Sequence, residues 1–440
     1  MHFRFDQNIL LLWLFLVLQV VVVICYLSFS SSWKDGKFMQ PEELPKSVKF
    51  VKDNDKNIVS KLGLEKYKTY YNADIDEEIY LKSENVENYF TLVNNTVCFK
   101  FGTDIGYMQR NMGILKENGK CECLPGYHGN DCSLPEVIWR AFIASRQKTV
   151  IHKRIGKARR IVHLFSIAHP AQIQQAVIKI NELFDTVDLF IVAEANKTEF
   201  GESKPFYFKE KLDKGLLKSK QHKILFSPLY IGKGNLQTKF RSENEMIWEK
   251  SRKIVQNFRD DDLFILFNNS EIPNPKALLF FKLYDGFSLP IHFRLKWNVY
   301  GYYYQHPNKT KTVSTGCTIR MLSDVYKNNP NLIKGMRGLT VGDLNHYGGW
   351  LCELCHDPND ILNVIQTVSD FEEVLSKSSD LINTQYLEEL IGDGIYIDGK
   401  TGLIKNSEDH DLYYSPTYVT NNSWKFDSLM FNFYSKMDYN

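Results

Sequence analysis

The chain has 440 residues, 43% of them hydrophobic and 24% charged, which is a globular balance and excludes collagen-like, coiled-coil and disordered classes. Lys and Arg number 54 against 52 Asp and Glu, so the formal net charge of +2 gives no basic excess to bind nucleic acid. Aromatics reach 14%, a level that suits both cores and sugar-stacking surfaces.

Residues 9–29 read ILLLWLFLVLQVVVVICYLSF, without a charge. About 20 apolar residues span a bilayer as a helix, and the run exceeds the usual length of a cleaved secretory signal. It is expected to be an uncleaved signal anchor behind a short cytoplasmic tail (1–8). Charges flanking it hardly set its orientation, but the rest of the chain carries lumenal features. Of eight Cys, seven lie beyond the span, and Asn-x-Ser/Thr sequons occur at Asn94, Asn196, Asn268, Asn308 and Asn421. Together they predict a type II membrane protein facing an oxidising lumen. Residues 30–97, charged and aperiodic, read as a stem.

Residues 98–135 hold Cys98, Cys121, Cys123 and Cys132, with Gly126 and Gly129 placed for tight turns. The C-x-C-x5-G-x2-C spacing matches the C-terminal half of an EGF-like module, truncated relative to a full one. A zinc site is the weaker reading, because no paired CxxC accompanies it. Resemblance to EGF modules implies the pairs Cys98–Cys121 and Cys123–Cys132.

From residue 155 to about 430, strands and helices alternate. Apolar runs at 160–167, 187–193, 223–226 and 263–267 predict buried strands. Ile173, Val177, Ile180 and Phe184, then Met246, Ile247, Ile254 and Phe258, recur at helical spacing. A helix is expected at 276–284, strands at 291–297, 299–304 and 312–319, and helices at 371–375 and 386–391. This pattern predicts an α/β domain with a mostly parallel central sheet, binding its ligand at the carboxyl ends of the strands. Neither GxGxxG nor a P-loop is present, nor HExxH or GxSxG. A nucleotide-sugar transferase remains.

The ordered stretches Asp188-Leu-Phe-Ile-Val-Ala-Glu194-Ala-Asn196-x-Thr198-x-x-Gly201-Glu202, Asp261-Asp-Leu-Phe-Ile265, Glu271-Ile-Pro273, Lys282-Leu-Tyr-Asp-Gly286, Ser314-x-Gly316-Cys317-Thr318, His346-Tyr-Gly-Gly-Trp350-x-Cys352-x-x-Cys355 and Asp398-Gly399 resemble family 17 of the glycosyltransferases. The resemblance covers roughly residues 120–430. It implies a GT-A-like domain in the Golgi lumen, UDP-GlcNAc as donor, Mn²⁺ or Mg²⁺ as cofactor, and transfer of GlcNAc with inversion to the β-linked core mannose of an N-glycan on a glycoprotein. It also implies an acidic stretch, D-D-x-D-E-I-P, where this chain has Phe267-Asn268-Asn269-Ser270-Glu271-Ile272-Pro273, and acids where it has Gln174 and Val177. Losing carboxylates weakens divalent binding, since amide oxygens bring no charge. Three readings follow: an active transferase with altered metal use, an inactive relative binding glycan or a partner, and an EGF-like interaction protein on an α/β scaffold.

Candidate site residues each carry two readings. Glu271 is either the remaining metal ligand or general base, or a cap on the helix after Pro273. Glu194 contacts the donor's ribose or uracil, or bonds local amides. Asn268 meets a metal or diphosphate, leaving its sequon unused. In the Gly-rich loop, His346 meets a phosphate and Trp350 stacks on a sugar, or both simply pack. Tyr300 to Tyr304 form a sugar platform or half-bury as core. Asp393 and Asp398 are further base candidates, and Arg294 and Lys296 further partners for the diphosphate. Among Cys317, Cys352 and Cys355 one disulfide forms, leaving one thiol free or linking two chains.

Overall fold

The computed structural model describes residues 19, 49–52, 70–74, 78–93, 95–110, 120–144, 150–231, 242–333, 338–367, 382–408 and 411–435. The chain divides into Met1–Lys46 and Ser47–Asn440. Every described residue except Gln19 lies in the second unit. The span expected at 9–29 (Gln19 aside), the helix expected at 371–375 and the sequon at Asn94 fall outside the described residues. Among the described ones, no helix is long and apolar enough to cross a membrane.

An 11-stranded sheet carries the fold. Its strands are β1 (Tyr71–Asn72), β2 (Ile161–Ile167), β3 (Leu189–Ala195), β4 (Ile224–Leu229), β5 (Leu263–Leu266), β6 (Glu271–Pro273), β7 (Ile291–Val299), β8 (Gly301–Thr318), β9 (Leu339–Val341), β10 (Gly349–Glu353) and β11 (Ile404–Lys405). The order is β6-β10-β7-β8-β5-β2-β3-β4-β1, with β9 on β7 and β11 on β8. From β5 to β1 every pairing is parallel. The other half is mixed: β8 runs antiparallel to β5 and β7, and β6 antiparallel to β10.

The parallel half follows from sequence. Strands covered on both faces need unbroken apolar runs, and all of β2 but Ser166 is buried. Helices supply the cover: α1 (Glu136–Ala144), α2 (Ile173–Leu183), α3 (Tyr207–Asp213), α4 (Glu243–Ile254), α5 (Pro275–Leu283), α6 (Pro358–Thr367) and α7 (Thr384–Asp393). Ser242 caps α4 by accepting the Glu245 N–H at 3.3 Å. Asn274 caps α5 through the Lys276 N–H at 3.0 Å, with Pro275 at the first helical position. On the core side Val162, Leu164, Ile191, Leu225, Trp248 and Phe264 pack together.

Three expectations are corrected. The stretches 299–304 and 312–319 belong mostly to one long strand, β8, because β7 pairs with both ends of it. Helix α4 stops at Ile254, so Phe258 packs on the core from the following loop. The stem does not reach residue 97: Tyr71 pairs in the sheet, and Ile79 and Leu81 are buried in its core.

Disulfides Cys98–Cys121 and Cys123–Cys132 form as implied. Their segment docks on the sheet domain through Lys153 Nζ to Asp131 at 3.1 Å and Tyr284 Oη to Ser133 Oγ at 2.5 Å. Cys352 pairs with Cys355, leaving Cys317 free. Cys317 lies fully buried on β8, paired with Phe264 of β5, so it cannot link two chains.

Candidate active site

A cleft of about 520 Å³ opens at the carboxyl ends of β2, β3 and β4, within the usual range of ligand sites, roughly 300–1,000 Å³. Ser166, Ala168, Glu194, Leu229, Lys197 and Thr198 line it from the parallel half. The turn Asn268 to Glu271, Leu351, Glu353 and Lys311 line it from the mixed half. Parallel strands end here because each must cross back over a helix, and the crevice between diverging loops is where such sheets take ligands.

The turn is pinned from every side. The Glu271 N–H donates to the Asn268 carbonyl at 3.0 Å, and the Asn268 N–H to Glu271 Oε2 at 2.8 Å. Asn269 Nδ2 donates to the Gln172 carbonyl at 2.6 Å, and the Cys352 N–H to the Ser270 carbonyl at 3.0 Å. Beneath lies Lys179 of α2, fully buried, its Nζ 2.5 Å from the Asn268 carbonyl and 4.4 Å from the Phe165 ring centroid. Burial pushes the Lys179 ammonium down to about 7, against the opposing pull of Glu271. Asn269 is 5% exposed, and its Oδ1, on the cleft wall, has no hydrogen-bond partner.

These residues do not fit the expected Mn²⁺ or Mg²⁺. Glu271 is the one carboxylate in the turn, and it folds back onto the Asn268 N–H. Among the described residues no three His, Cys, Asp or Glu side chains converge as a metal site. The cations on the cleft wall are Lys197 and Lys311.

The structure places the sequence candidates unequally. Glu271 and Asn268 do meet in the cleft, but Glu271 does not cap α5, since Asn274 does. Asn268 is exposed at the rim. The Glu194 carboxylate is turned to the start of α3, accepting the Phe208 N–H at 3.1 Å and the Lys209 N–H at 3.5 Å. Lys204 Nζ stands 3.7 Å away, and burial raises the Glu194 pKa. It holds that loop in place, and its carboxylate is not presented to a donor. Asn196 Oδ1 accepts the Ile231 N–H at 2.8 Å, whereas Asn308 and Asn421 are exposed.

His346 and Trp350 leave the cleft. His346 faces Asp343 at 3.3 Å and Glu136 at 3.7 Å, and Trp350 Nε1 donates to the Tyr413 carbonyl at 2.9 Å. For Trp350 strand alternation explains this, since Leu351 and Glu353 of β10 face the cleft and Trp350 faces away, whereas His346 precedes β10. Lys296 is fully buried against Asp411 at 2.5 Å. Arg294 and Asp393 do not line the cleft either. Asp398 is held in its own turn by the Thr401 hydroxyl at 2.6 Å. Tyr300, Tyr302, Tyr303 and Tyr304 are all buried, forming core and no platform.

Sequence reasoning missed Lys179, Gln175, Asn269, Glu353 and His356. Gln175 Nε2 donates to the Cys352 carbonyl at 3.0 Å and ties α2 to β10. His356, beside the disulfide, is pushed down to about 4 by burial, with His169 adding to it. The signal available for Lys179 was a lone charge on the apolar face of α2. For Glu353 it was strand alternation within the CELC motif.

The chain belongs to family 17 of the glycosyltransferases, whose model matches residues 94–398. It is similar to the β-1,4-mannosyl-glycoprotein 4-β-N-acetylglucosaminyltransferase of Rattus norvegicus, 28% identical over 347 residues that cover 73% of this chain and 63% of the relative. The Homo sapiens protein of that name is 27% identical, over 74% of this chain and 64% of the relative. The chain thus spans just under two thirds of the length of these curated relatives. No solved structure matches it significantly.

Proposed function

We propose that the chain is an inverting N-acetylglucosaminyltransferase, anchored by residues 9–29 as a type II protein of the Golgi membrane. It takes GlcNAc from UDP-GlcNAc and delivers it to the β-linked core mannose of a glycoprotein's N-glycan. The observation that carries this reading is the cleft at the carboxyl ends of β2, β3 and β4, in a member of this family. The nucleotide lies over the parallel half. Lys197 and Lys311 stand against the diphosphate charge, where the turn lacks the carboxylates for a divalent ion. The acid-poor turn also favours a second reading, a relative that binds N-glycan without turning over.

The test is transfer by the purified full chain from UDP-GlcNAc to a biantennary N-glycan, with Mn²⁺ or with EDTA, read by product mass. A gain of one N-acetylhexosamine that survives EDTA is expected. A gain that requires Mn²⁺ would overturn the lysine assignment. Glycan binding with no gain would favour the second reading.

A further inference from the structure

Inverting transfer needs a base at the acceptor hydroxyl, and two carboxylates of this cleft are buried against backbone N–H groups. Glu194 is bound to the start of α3, and Glu271 to the Asn268 N–H. Glu199 and Glu243 lie on the parallel half, on the nucleotide's side. Glu353 remains, half-buried at the end of β10 and beside the turn. Pairing of Glu271 with Leu351 puts Glu353, two residues on, on the same face of the ladder as Glu271. The Cys352 N–H to the Ser270 carbonyl, 3.0 Å, fixes that approach.

The Glu353 carboxyl is held for a task. Trp297 Nε1 donates to its Oε2 at 2.8 Å and Tyr396 Oη to the same oxygen at 3.1 Å. Trp297 is itself fixed by stacking on His306, ring centroids 3.7 Å apart and 11° from parallel. Two neutral donors on one oxygen orient the group and leave Oε1 for another partner. A carboxylate so oriented presents a fixed lone pair to a hydroxyl proton.

We propose that Glu353 accepts the proton of the acceptor hydroxyl. The acceptor oxygen then forms its bond to the anomeric carbon of the donor. The bond from that carbon to the phosphate oxygen breaks, and its electron pair leaves with the nucleoside diphosphate. This rests on the donor-site reading above.

The experiment compares the full chain with its E353Q, W297F and Y396F variants, measuring transfer from UDP-GlcNAc to the biantennary glycan across pH, with UDP affinity measured separately. E353Q is expected to lower kcat about 10²–10⁴-fold, with UDP affinity within about twofold of wild type and the acid limb of kcat/KM abolished. W297F and Y396F each remove one of the donors that orient the carboxyl, so each is expected to lower kcat while UDP affinity stays within about twofold of wild type. E353Q retaining half of wild-type kcat would overturn the assignment while leaving the transferase reading intact. Loss of UDP affinity along with transfer would also overturn it, by making Glu353 structural. A wild-type chain without transfer would sink both readings together.

Discussion

Lys179 sets a cost at the centre of the site, since a buried ammonium gives up its water for one carbonyl, a ring face and the field of Glu271. Its folded-state pKa, about 7, lies below its ordinary value of 10.5. Between those values the unfolded chain binds more protons, so this group makes unfolding harder as pH rises from about 7 towards 10.5. Below about 7 its burden is fully present. Lys179→Met removes one of the two hydrogen bonds on the Asn268 carbonyl, which keeps the Glu271 N–H, a loss of about 0.5–1.5 kcal/mol. Urea unfolding of wild type and variant should show that loss near pH 9 and a smaller gap near pH 6. A gap that widens on acidification would mean that Lys179 is stabilised as the cation, against this account. No sequence pattern announces such a residue, because α2 needs only that its inner positions fill space, and the charge is tolerated through a partner 89 positions away.

At the scale of elements, the turn and strand β10 act as one piece. The Cys352–Cys355 disulfide closes a very short loop, so chain entropy assigns it about 2 kcal/mol, against about 3 kcal/mol for Cys98–Cys121, which are 23 positions apart. Function should invert that ranking. Leu351, Glu353, Leu354 and His356 all line the cleft around the first bridge, and Gln175 bonds its Cys352 carbonyl. Replacing both Cys352 and Cys355 by Ser should cost little in Tm yet lower kcat of transfer at least tenfold, whereas the Cys98/Cys121 pair should do the reverse. Transfer assays and calorimetry on the two double variants decide it. The parallel strands were legible because continuous apolar runs say what they are. The mixed half was not, since β8 reads as two strands interrupted by residues 305–311, whose pairing only β7 reveals. Likewise, Trp350 and His346 shared a promising loop in sequence, but alternation along β10 turns Trp350 from the cleft, and His346, before that strand, faces Asp343 and Glu136.

For the whole molecule, the folded body begins well before the first disulfide. Tyr71 adds a strand to the sheet, Ile79 and Leu81 fill its core, and Leu81 takes a hydrogen bond from Arg160, which is buried against Asp262. A chain beginning at residue 98 should therefore unfold at a markedly lower Tm or aggregate, while one beginning at Ser47 keeps the wild-type transition. Equal transitions from the two would restore the longer stem. Charge and lack of period made 70–97 look like spacer, because short strands and single anchoring side chains leave no periodic trace.

Cys317 turns the molecule into its own clock. The thiol sits where β5 meets β8, fully enclosed, and burial pushes it up to about 12. No reagent reaches it while the two strands stay zipped, so alkylation of the Cys317 peptide, followed by mass, counts openings of the seam that joins the parallel half of the sheet to the mixed half.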